Sequence, residues 1–355
     1  MAATPLETKI RARIAARGPI PVAAYMAMCL ADPQHGYYMT RDPFGARGDF
    51  VTAPEVSQMF GELIGVWIAA VWQQMGSPAP VRIVELGPGR GTLMSDALRA
   101  LKVMPALLKA ATVHLIEISP VLKAKQRETL RDVAPPVSWH ASLDAVPEGP
   151  AIVVANEFFD ALPVRQAVKT AQGWRERCVG VNADRLAYTA GGPVDLALIA
   201  AEGAIFEWRD EDHAAALGKR IARDGGAALV IDYGHAASSV GDTLQALGRH
   251  AFADPLGTPG ELDLTAHVDF EALARAATSA GATAFGPITQ GDLLRRLGIE
   301  TRAEKLKKKA SPDAAARIDA ALARLTGAAA SEMGALFKAV ALAHPTLGAP
   351  AAFAH

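Results

Sequence analysis

The sequence has few cysteines, little net charge and no long apolar run. Its 355 residues include two cysteines, Cys29 and Cys178, which lie too far apart to indicate a disulfide framework or a metal-binding knuckle. The formal net charge of −1 does not indicate a nucleic acid partner. The longest apolar stretch, at residues 63–72, is too short to span a membrane. We therefore expect a protein of a reducing compartment with no nucleic acid partner and no membrane span.

The most informative stretch is an apolar run that ends in a glycine-rich turn. The run V-R-I-V-E-L at residues 81–86 is typical of a buried parallel strand, and residues 93–101 resume helical spacing. Glycines let the backbone approach a ligand closely, so strand, turn and helix together predict a nucleotide-type crevice. The turn has the spacing G-x-G-x-G, formed by Gly87, Gly89 and Gly91.

The glycine turn fits S-adenosylmethionine (SAM) better than NAD or ATP. A dinucleotide fingerprint requires a small residue where Thr92 stands, and no Gly-Lys-Ser/Thr follows to hold a triphosphate. SAM carries no phosphate, so its loop mainly has to admit an aminocarboxypropyl arm and a ribose. Glu85 is the candidate partner of the arm's ammonium. Glu117, which closes the next strand, is the candidate for the ribose hydroxyls, by analogy with dinucleotide-binding folds.

Strands and helices alternate along most of the chain, which predicts an α/β, Rossmann-like core with a parallel sheet. Before this core the spacing predicts an N-terminal helical extension, and turn signals within residues 164–189 predict β-hairpins. The predicted helices lie at residues 6–16, 22–31, 57–72, 94–100, 120–130, 212–223 and 268–280, and the predicted strands at 151–155, 227–231, 243–251 and 336–343.

We predict three regions in the chain, half of whose residues are hydrophobic. Residues 1–75 form an N-terminal helical and lid region. Residues 76–345 form the core, with an insertion at about 164–208 and helical additions at about 290–326. Residues 346–355 form a flexible tail.

Polar and aromatic side chains follow two predicted strands at their carboxyl ends, where open α/β sheets bind ligands. The sequence N-E-F-F-D at residues 156–160 comes directly after one strand, and Asp232 and Tyr233 end another. Both groups are therefore candidates to bind the methyl acceptor.

A long loop rich in turn formers precedes the core, at residues 32–55. Long loops are often functional, and we expect Asp49, Thr52 and Glu55 to fold over the cofactor as a lid that excludes water. The alternative is local turn chemistry, because Thr52 and Glu55 have the spacing of a capping box.

Several motifs occur in order along the chain: G-D-F-V-T-A-P-E at residues 48–55, F-G-E at 60–62, E-L-G-P-G-R-G-T at 85–92, N-E-F-F-D-A-L-P at 156–163, I-D-Y-G at 231–234, D-L-T-A-H-V-D-F at 263–270 and M-G-A-L-F-K at 333–338. With these motifs the sequence resembles the MidA-type SAM-dependent methyltransferases, whose mitochondrial members assist the assembly of respiratory complex I. The resemblance implies a class I SAM-dependent methyltransferase core and methylation of an arginine in a partner protein, such as a complex I subunit or its bacterial counterpart.

Methyl transfer to nitrogen depends mainly on positioning and charge placement, so no metal is expected. A guanidinium is protonated at neutral pH, so an arginine methyltransferase needs carboxylates that fix the side chain and help it lose a proton. Glu157 and Asp160 are the candidate catalytic acids, with Asn156 beside them, while Phe158 or Phe159 walls the site. The alternative is a helix-capping acid and two core aromatics.

The candidate residues divide into three sets. The catalytic candidates are Glu157, Asp160 and Asn156; the SAM-binding candidates are Glu85, Gly87, Gly89, Gly91, Glu117, Ser142, Leu143, Thr52, Pro54 and Glu55; the substrate-binding candidates are Asp49, Phe158, Phe159, Asp232, Tyr233 and His267. Ser142 and Leu143 follow the third predicted strand, where adenine commonly lies in such folds. His267 is equally a candidate structural hydrogen-bonder.

Two other functions stay open at this point: a SAM-binding assembly factor with little turnover, and a small-molecule methyltransferase. An NAD oxidoreductase is disfavoured by the glycine spacing. We expect a protein substrate, a monomer or homodimer, and a location in the bacterial cytoplasm or, in a eukaryote, the mitochondrial matrix.

Overall fold

The computed structural model describes residues 3–42, 51–248 and 251–354, and the chain forms two compact units. Unit 1 comprises Met1–Phe50, Asp160–Asp210 and Ala237–His267, and unit 2 comprises Val51–Phe159, Glu211–Ala236 and Val268–His355. This grouping differs from the predicted division at residue 75, because the helix that follows residue 57 belongs to unit 2. The predicted domain boundaries stay a prediction.

The helices are short to medium in length, and the described residues also form two 3-10 turns, at Leu101–Val103 and Leu143–Ala145. Within the described ranges they are α1 (Pro5–Arg17), α2 (Val22–Ala31), α3 (Tyr37–Thr40), α4 (Ala53–Val56), α5 (Gln58–Gln74), α6 (Thr92–Ala100), α7 (Pro105–Ala110), α8 (Pro120–Thr129), α9 (Asp212–Asp224), α10 (Phe270–Ser279), α11 (Gln290–Arg296), α12 (Ile299–Lys307), α13 (Pro312–Thr326) and α14 (Met333–Leu336).

The strands of the described part of the chain form three sheets. They are β1 (Ile20–Pro21), β2 (Val81–Leu86), β3 (Ala111–Ile116), β4 (Val137–His140), β5 (Ala151–Asn156), β6 (Val164–Thr170), β7 (Gly173–Asn182), β8 (Arg185–Pro193), β9 (Ile205–Arg209), β10 (Gly226–His235), β11 (Gln245–Gly248), β12 (Ala251–Ala253), β13 (Asp263–Thr265), β14 (Val268–Asp269), β15 (Thr283–Thr289) and β16 (Phe337–Ala343).

Unit 2 is built on an eight-stranded sheet with the order β15-β16-β10-β5-β2-β3-β4, to which β14 adds beside β10. Strands β4, β3, β2, β5 and β10 run parallel, whereas β16 runs antiparallel to both of its neighbours, β10 and β15. The chain moves outward from β2 through β3 to β4 and then returns to the other side of β2 with β5. A reversal of this kind opens a crevice at the carboxyl ends of the two central strands, β2 and β5.

Buried apolar strands and helix α5 form the core of unit 2. Trp67 and Phe60 of α5 are fully buried with Ile83 of β2 and Val154 of β5. Strand β5 is buried at every position, as expected for a parallel strand covered on both faces. The predicted strands at 81–86 and 151–155 and the helix at 57–72 are confirmed. This core fixes the positions of β2 and β5, so the polar residues at their carboxyl ends meet at one edge of the sheet.

Unit 1 combines helices α1 to α3 with two antiparallel sheets. One sheet has the order β1-β7-β6-β9 with β8 beside β7, and the other has the order β12-β11-β13. Leu6, Tyr25 and Met26 of the helices share a core with Val164 and Val179 of the strands. The hairpins predicted within residues 164–189 are confirmed as β6, β7 and β8.

Three predicted elements differ in detail from the structure. The single strand predicted at 243–251 is instead two antiparallel strands, β11 and β12. The helix predicted from residue 268 begins at Phe270, because the side chain of Asp269 accepts from the backbone N–H of Ala272 and caps it (3.0 Å). The segment predicted as a tail contributes the buried ring of Phe353 to the core of unit 2.

Candidate active site

The glycine turn lies at the carboxyl end of β2, between strand and helix, as predicted. The φ angles of Gly87, Gly89 and Gly91 are +60°, +53° and +82°, in the region that favours glycine. The backbone N–H of Gly91 donates to the carbonyl of Pro88 (2.7 Å) and closes the turn in front of α6. The turn therefore presents a backbone cradle at the crevice between β2 and β5.

Glu85 is a buried acid next to this turn. Its side chain is 3% exposed, and burial raises its pKa to about 8. Within the described part of the chain, its Oε2 atom has no hydrogen-bond partner. A buried carboxyl oxygen that lacks a partner is costly, so the position fits a cationic group such as the ammonium of SAM.

Glu117 follows β3 and is held by three donors. Its Oε1 atom accepts from the backbone N–H groups of Ile118 (2.8 Å) and Ser119 (2.7 Å), and its Oε2 atom accepts from Nε2 of Gln126 (3.1 Å). Burial raises the pKa of Glu117, and these hydrogen bonds act against the rise. The carboxyl group thus has a fixed orientation at the edge of the sheet.

Gln126 connects Glu117 to the glycine turn, a role that the sequence analysis missed. It is fully buried on α8; its Nε2 atom also donates to the carbonyl of Gly89 (2.8 Å), and its Oε1 atom accepts from Nε1 of Trp139 (2.9 Å). An amide on the buried face of an amphipathic helix was the available signal, since buried polar groups need partners.

The region predicted for adenine lies beside Glu117. Ser142 is exposed and Leu143 half-buried just after β4, which pairs with β3 so that His140 is opposite Ile116. Ile118, which the sequence analysis missed, is 53% exposed at the same edge. The edge therefore offers both polar and apolar side chains.

Glu157, the first predicted catalytic acid, follows β5 in an unusual backbone conformation. Its φ of +50° is rare for a residue with a side chain, and strain of this kind concentrates at functional sites. Its Oε1 atom accepts from the backbone N–H of Ala53 (3.0 Å) and from Nδ2 of Asn156 (3.2 Å). The Oδ1 atom of Asn156 is buried without a hydrogen-bond partner among the described residues. The carboxylate of Glu157 thus accepts the N–H of the first residue of α4, and Glu157 is not an ordinary surface acid.

The two aromatic residues after Glu157 are fixed by Asp232. The Oδ2 atom of this fully buried acid accepts from the backbone N–H groups of Phe158 (3.2 Å) and Phe159 (3.0 Å), and its Oδ1 atom accepts from that of Tyr233 (2.9 Å). Asp232 therefore positions the segment after β5 through the backbone. Its predicted contact with the acceptor stays a prediction.

The aromatic rings divide between the crevice edge and the core. Phe158 is half-buried, with its ring 5.8 Å from that of the exposed His213 on the first turn of α9. Phe159 is 4% exposed and packs edge-to-face on Phe158 at 5.4 Å. The ring of Tyr233 lies 5.4 Å from that of Phe337. Sequence patterns did not indicate His213, whose proximity to Phe158 arises from tertiary packing.

The lid candidates occupy the short helix α4 and its flanks. The side chain of Thr52 makes no cap hydrogen bond, so the alternative of a capping box with Glu55 is not realised. Glu55 instead accepts from Oγ1 of Thr92 (2.6 Å), and Pro54 is buried in the first turn of α4. Asp49 lies outside the described residues.

Asp160 and His267 belong to unit 1. The carbonyl of Asp160 accepts from the backbone N–H of Ala266 (3.1 Å), and the carbonyl of His267 accepts from Nη1 of Arg209 (2.7 Å). The backbone N–H of His267 donates to Oγ1 of Thr243 (2.9 Å). Their assignment to the site stays a prediction.

Comparison with known proteins now identifies the family. A family model described as "Putative S-adenosyl-L-methionine-dependent methyltransferase" matches residues 63–288. The chain belongs to this family. Membership confirms the resemblance seen in the motifs, the Rossmann-like fold and SAM as the cofactor.

Two curated relatives match most of the chain. The mitochondrial protein arginine methyltransferase NDUFAF7 of Homo sapiens is 39% identical over 345 residues, 87% of this chain and 76% of that protein. The mitochondrial homologue from Drosophila melanogaster is 38% identical over 374 residues, 95% of this chain and 84% of that protein.

A solved structure of the same fold contains a product of SAM. A protein from Burkholderia thailandensis, crystallised with S-adenosyl-homocysteine, matches with a TM-score of 0.85 and 32% identity over 99% of this chain and 94% of that chain. Among the described residues of our chain, no three His, Cys, Asp or Glu side chains are grouped to hold a metal ion. No described helix is both long and apolar enough to cross a membrane.

Proposed function

We propose that this chain transfers a methyl group from SAM to an arginine side chain of a partner protein. The observation that carries the proposal is Glu157, a carboxylate held in a left-handed backbone conformation where β5 ends beside the glycine turn. A strained acid at the switch point of a SAM-binding sheet is placed to meet the methyl acceptor rather than to stabilise the fold.

On the cofactor side, SAM supplies an electrophilic methyl group when it is bound. Glu85 fits the ammonium of its arm, because its buried Oε2 atom has no partner in the described part of the protein. The glycine turn admits the arm, and Glu117 takes the ribose hydroxyls. Ile118 offers an apolar surface to the adenine.

On the acceptor side, the guanidinium of arginine is protonated at neutral pH and must lose a proton as it is methylated. Glu157 orients the acceptor nitrogen by a charge-assisted hydrogen bond and accepts that proton. Phe158 forms a wall of the site, and Asp232 holds Phe158 in place through its backbone N–H. Asp160 is the second candidate acid.

The acceptor class is supported by the relatives whose names describe protein arginine methyltransferases. We extend the proposal to a complex I subunit or its bacterial counterpart, because of the resemblance to MidA-type proteins. The compartment would then be the mitochondrial matrix or the bacterial cytoplasm, and the enzyme a monomer or homodimer.

The direct test is transfer of labelled methyl from SAM into a lysate of cells that lack this protein, with Gly87→Val as the control. We expect label in one protein band, recovered as methylarginine after hydrolysis and absent with the variant. Label in a low-mass fraction would overturn the proposal in favour of a small-molecule methyltransferase. SAM binding without any transfer would overturn it in favour of an assembly factor.

A further inference from the structure

The segment at α4 makes contacts at both of its ends in unit 2. α4 spans four residues, and the N–H of Ala53 at its start and the carboxylate of Glu55 two residues later face different partners. Thr52 does not cap the helix through its side chain. Two local hydrogen bonds, from the backbone N–H groups of Glu55 (2.9 Å) and Val56 (3.1 Å) to the carbonyl of Thr52, close this short turn, and partners elsewhere in unit 2 hold its two ends.

One end is fixed on the glycine turn. Oε1 of Glu55 accepts from Oγ1 of Thr92 at 2.6 Å, and Oε2 of Glu55 lies 3.9 Å from Nη1 of Arg90. Thr92 is the first residue of α6, directly after Gly91. A short hydrogen bond to a carboxylate is stronger than one between neutral groups.

The other end is fixed on the predicted catalytic acid. The backbone N–H of Ala53 donates to Oε1 of Glu157 at 3.0 Å, and Ala53 is fully buried. Since Glu157 holds a strained φ of +50°, its carboxylate depends on neighbours for its orientation. The N–H of Ala53 is a rigid neighbour only while α4 itself is fixed.

We propose that Glu55 is a positioning residue, which acts on the Glu157 carboxylate through Ala53 without itself taking part in the chemistry. Its contact with Thr92 joins the SAM-binding turn to the acceptor acid by one short segment. The inference rests on the proposed function for the role of Glu157, but the contacts that carry it are independent of turnover. It replaces the predicted role of Glu55 as a cofactor contact.

Whether Glu55 and Thr92 hold the α4 segment in place is tested by hydrogen exchange of the peptide at residues 51–57 in full-length protein. Thr92→Val keeps the side-chain shape but removes the hydroxyl, and Glu55→Gln weakens the charge-assisted bond. In both variants we expect exchange in this peptide to rise about tenfold, as expected for loss of one such bond. Glu128→Gln, which changes an exposed acid on α8, is the control and should leave the exchange unchanged. Unchanged exchange in both variants would show that the contact between Glu55 and Thr92 does not hold the segment, and would overturn the proposal.

The positioning role of Glu55 is tested by a double-mutant cycle, in which methyl transfer is measured for Thr92→Val, Glu157→Ala and the double variant. Thr92→Val should lower kcat about tenfold and change the SAM dissociation constant less than about threefold, because a positioning bond acts on the acceptor acid. In the Glu157→Ala background Thr92→Val should have no further effect on kcat.

Three results separate the possibilities. Independent, multiplying effects on kcat would overturn the positioning role, and so would a loss confined to SAM affinity. If the unmodified protein binds SAM but transfers no methyl, the proposed function fails, and the exchange measurement still decides whether Glu55 and Thr92 hold Ala53. Glu55→Gln provides the same readout if Thr92→Val does not fold.

Discussion

The ring of Phe158 lies against the position that a side chain on Gly87 would occupy. A Cβ atom added to Gly87 would stand 2.9 Å from Cδ2 of Phe158, closer than carbon atoms approach in proteins. The two residues follow neighbouring parallel strands, in which Leu86 pairs with Ala155. The glycine turn and the segment after β5 are thus packed on each other, so a change in one displaces the other.

Gly87→Ala should weaken SAM binding at least about tenfold, because both the φ of +60° and the contact with Phe158 oppose a side chain. Titration calorimetry with SAM measures the loss. Gly192→Ala is the matched control, since a Cβ at this exposed glycine has no atom of the described residues within 4 Å. Equal affinities of the two variants would contradict the described turn.

Replacing Glu157 by glycine should give a more stable protein than replacing it by alanine, by about 1 kcal/mol, because only glycine relieves a left-handed φ. Both variants lose the carboxylate, so the comparison isolates the backbone. Urea unfolding of the two provides the difference.

The same pair of substitutions at Glu128 should reverse the order, because glycine destabilises an ordinary helix by about 1 kcal/mol relative to alanine. If the alanine variant is the more stable at both positions, the strained conformation of Glu157 is refuted.

The buried acid Glu85 should make the protein without SAM less stable as the pH rises from 6.5 to 8. Its pKa is raised by burial to about 8 from the usual value of 4.5, so the folded state binds the proton more tightly than the unfolded state in this range. The free energy of unfolding therefore falls as the pH approaches 8.

Glu85→Gln should flatten this slope in urea unfolding series. His114, whose pKa is lowered to about 4 by burial, gives a slope of the opposite sign that fades above pH 6.5 and is common to both proteins, so the difference between the two slopes reports Glu85. Identical slopes for the two proteins between pH 6.5 and 8 would show that Glu85 is not a buried, protonated acid.

Gln126→Leu should lower both stability and SAM affinity. The substitution nearly preserves volume but leaves Oε2 of Glu117, the carbonyl of Gly89 and Nε1 of Trp139 without their partner, at a cost of about 2 kcal/mol or more. Thermal unfolding and calorimetry with SAM measure the two effects. Gln73→Leu, on the exposed side of α5, should change neither. A fully stable Gln126→Leu variant would contradict the network.

The sequence predicted the parts of this site that depend on local pattern. The glycine turn, Glu85, Glu117 and Glu157 each stand at the end of an apolar strand, and parallel strands bring such ends to one edge. Their position at one edge of the sheet follows from the alternation of strands and helices, which is visible in the sequence.

The remaining parts depend on contacts between distant segments. Gln126 and His213 lie on helices whose rotation is set by packing, and Asp232 acts through the backbone of residues more than seventy positions earlier. The hydrogen bond from Ala53 to Glu157 crosses 104 positions. The periodicity of a sequence does not indicate such partners. The Thr-x-x-Glu spacing of Thr52 and Glu55 suggested a capping box, which the structure does not form.

The central claim is that Glu157 acts on the acceptor and not on SAM. It is tested most directly by single-turnover transfer of labelled methyl to the substrate protein by Glu157→Gln, with SAM affinity measured on the same sample. We predict a rate at least about a hundredfold lower with unchanged SAM affinity, as expected for the loss of a group that positions the acceptor and accepts its proton. A variant that transfers methyl at the rate of the unmodified protein would contradict the account.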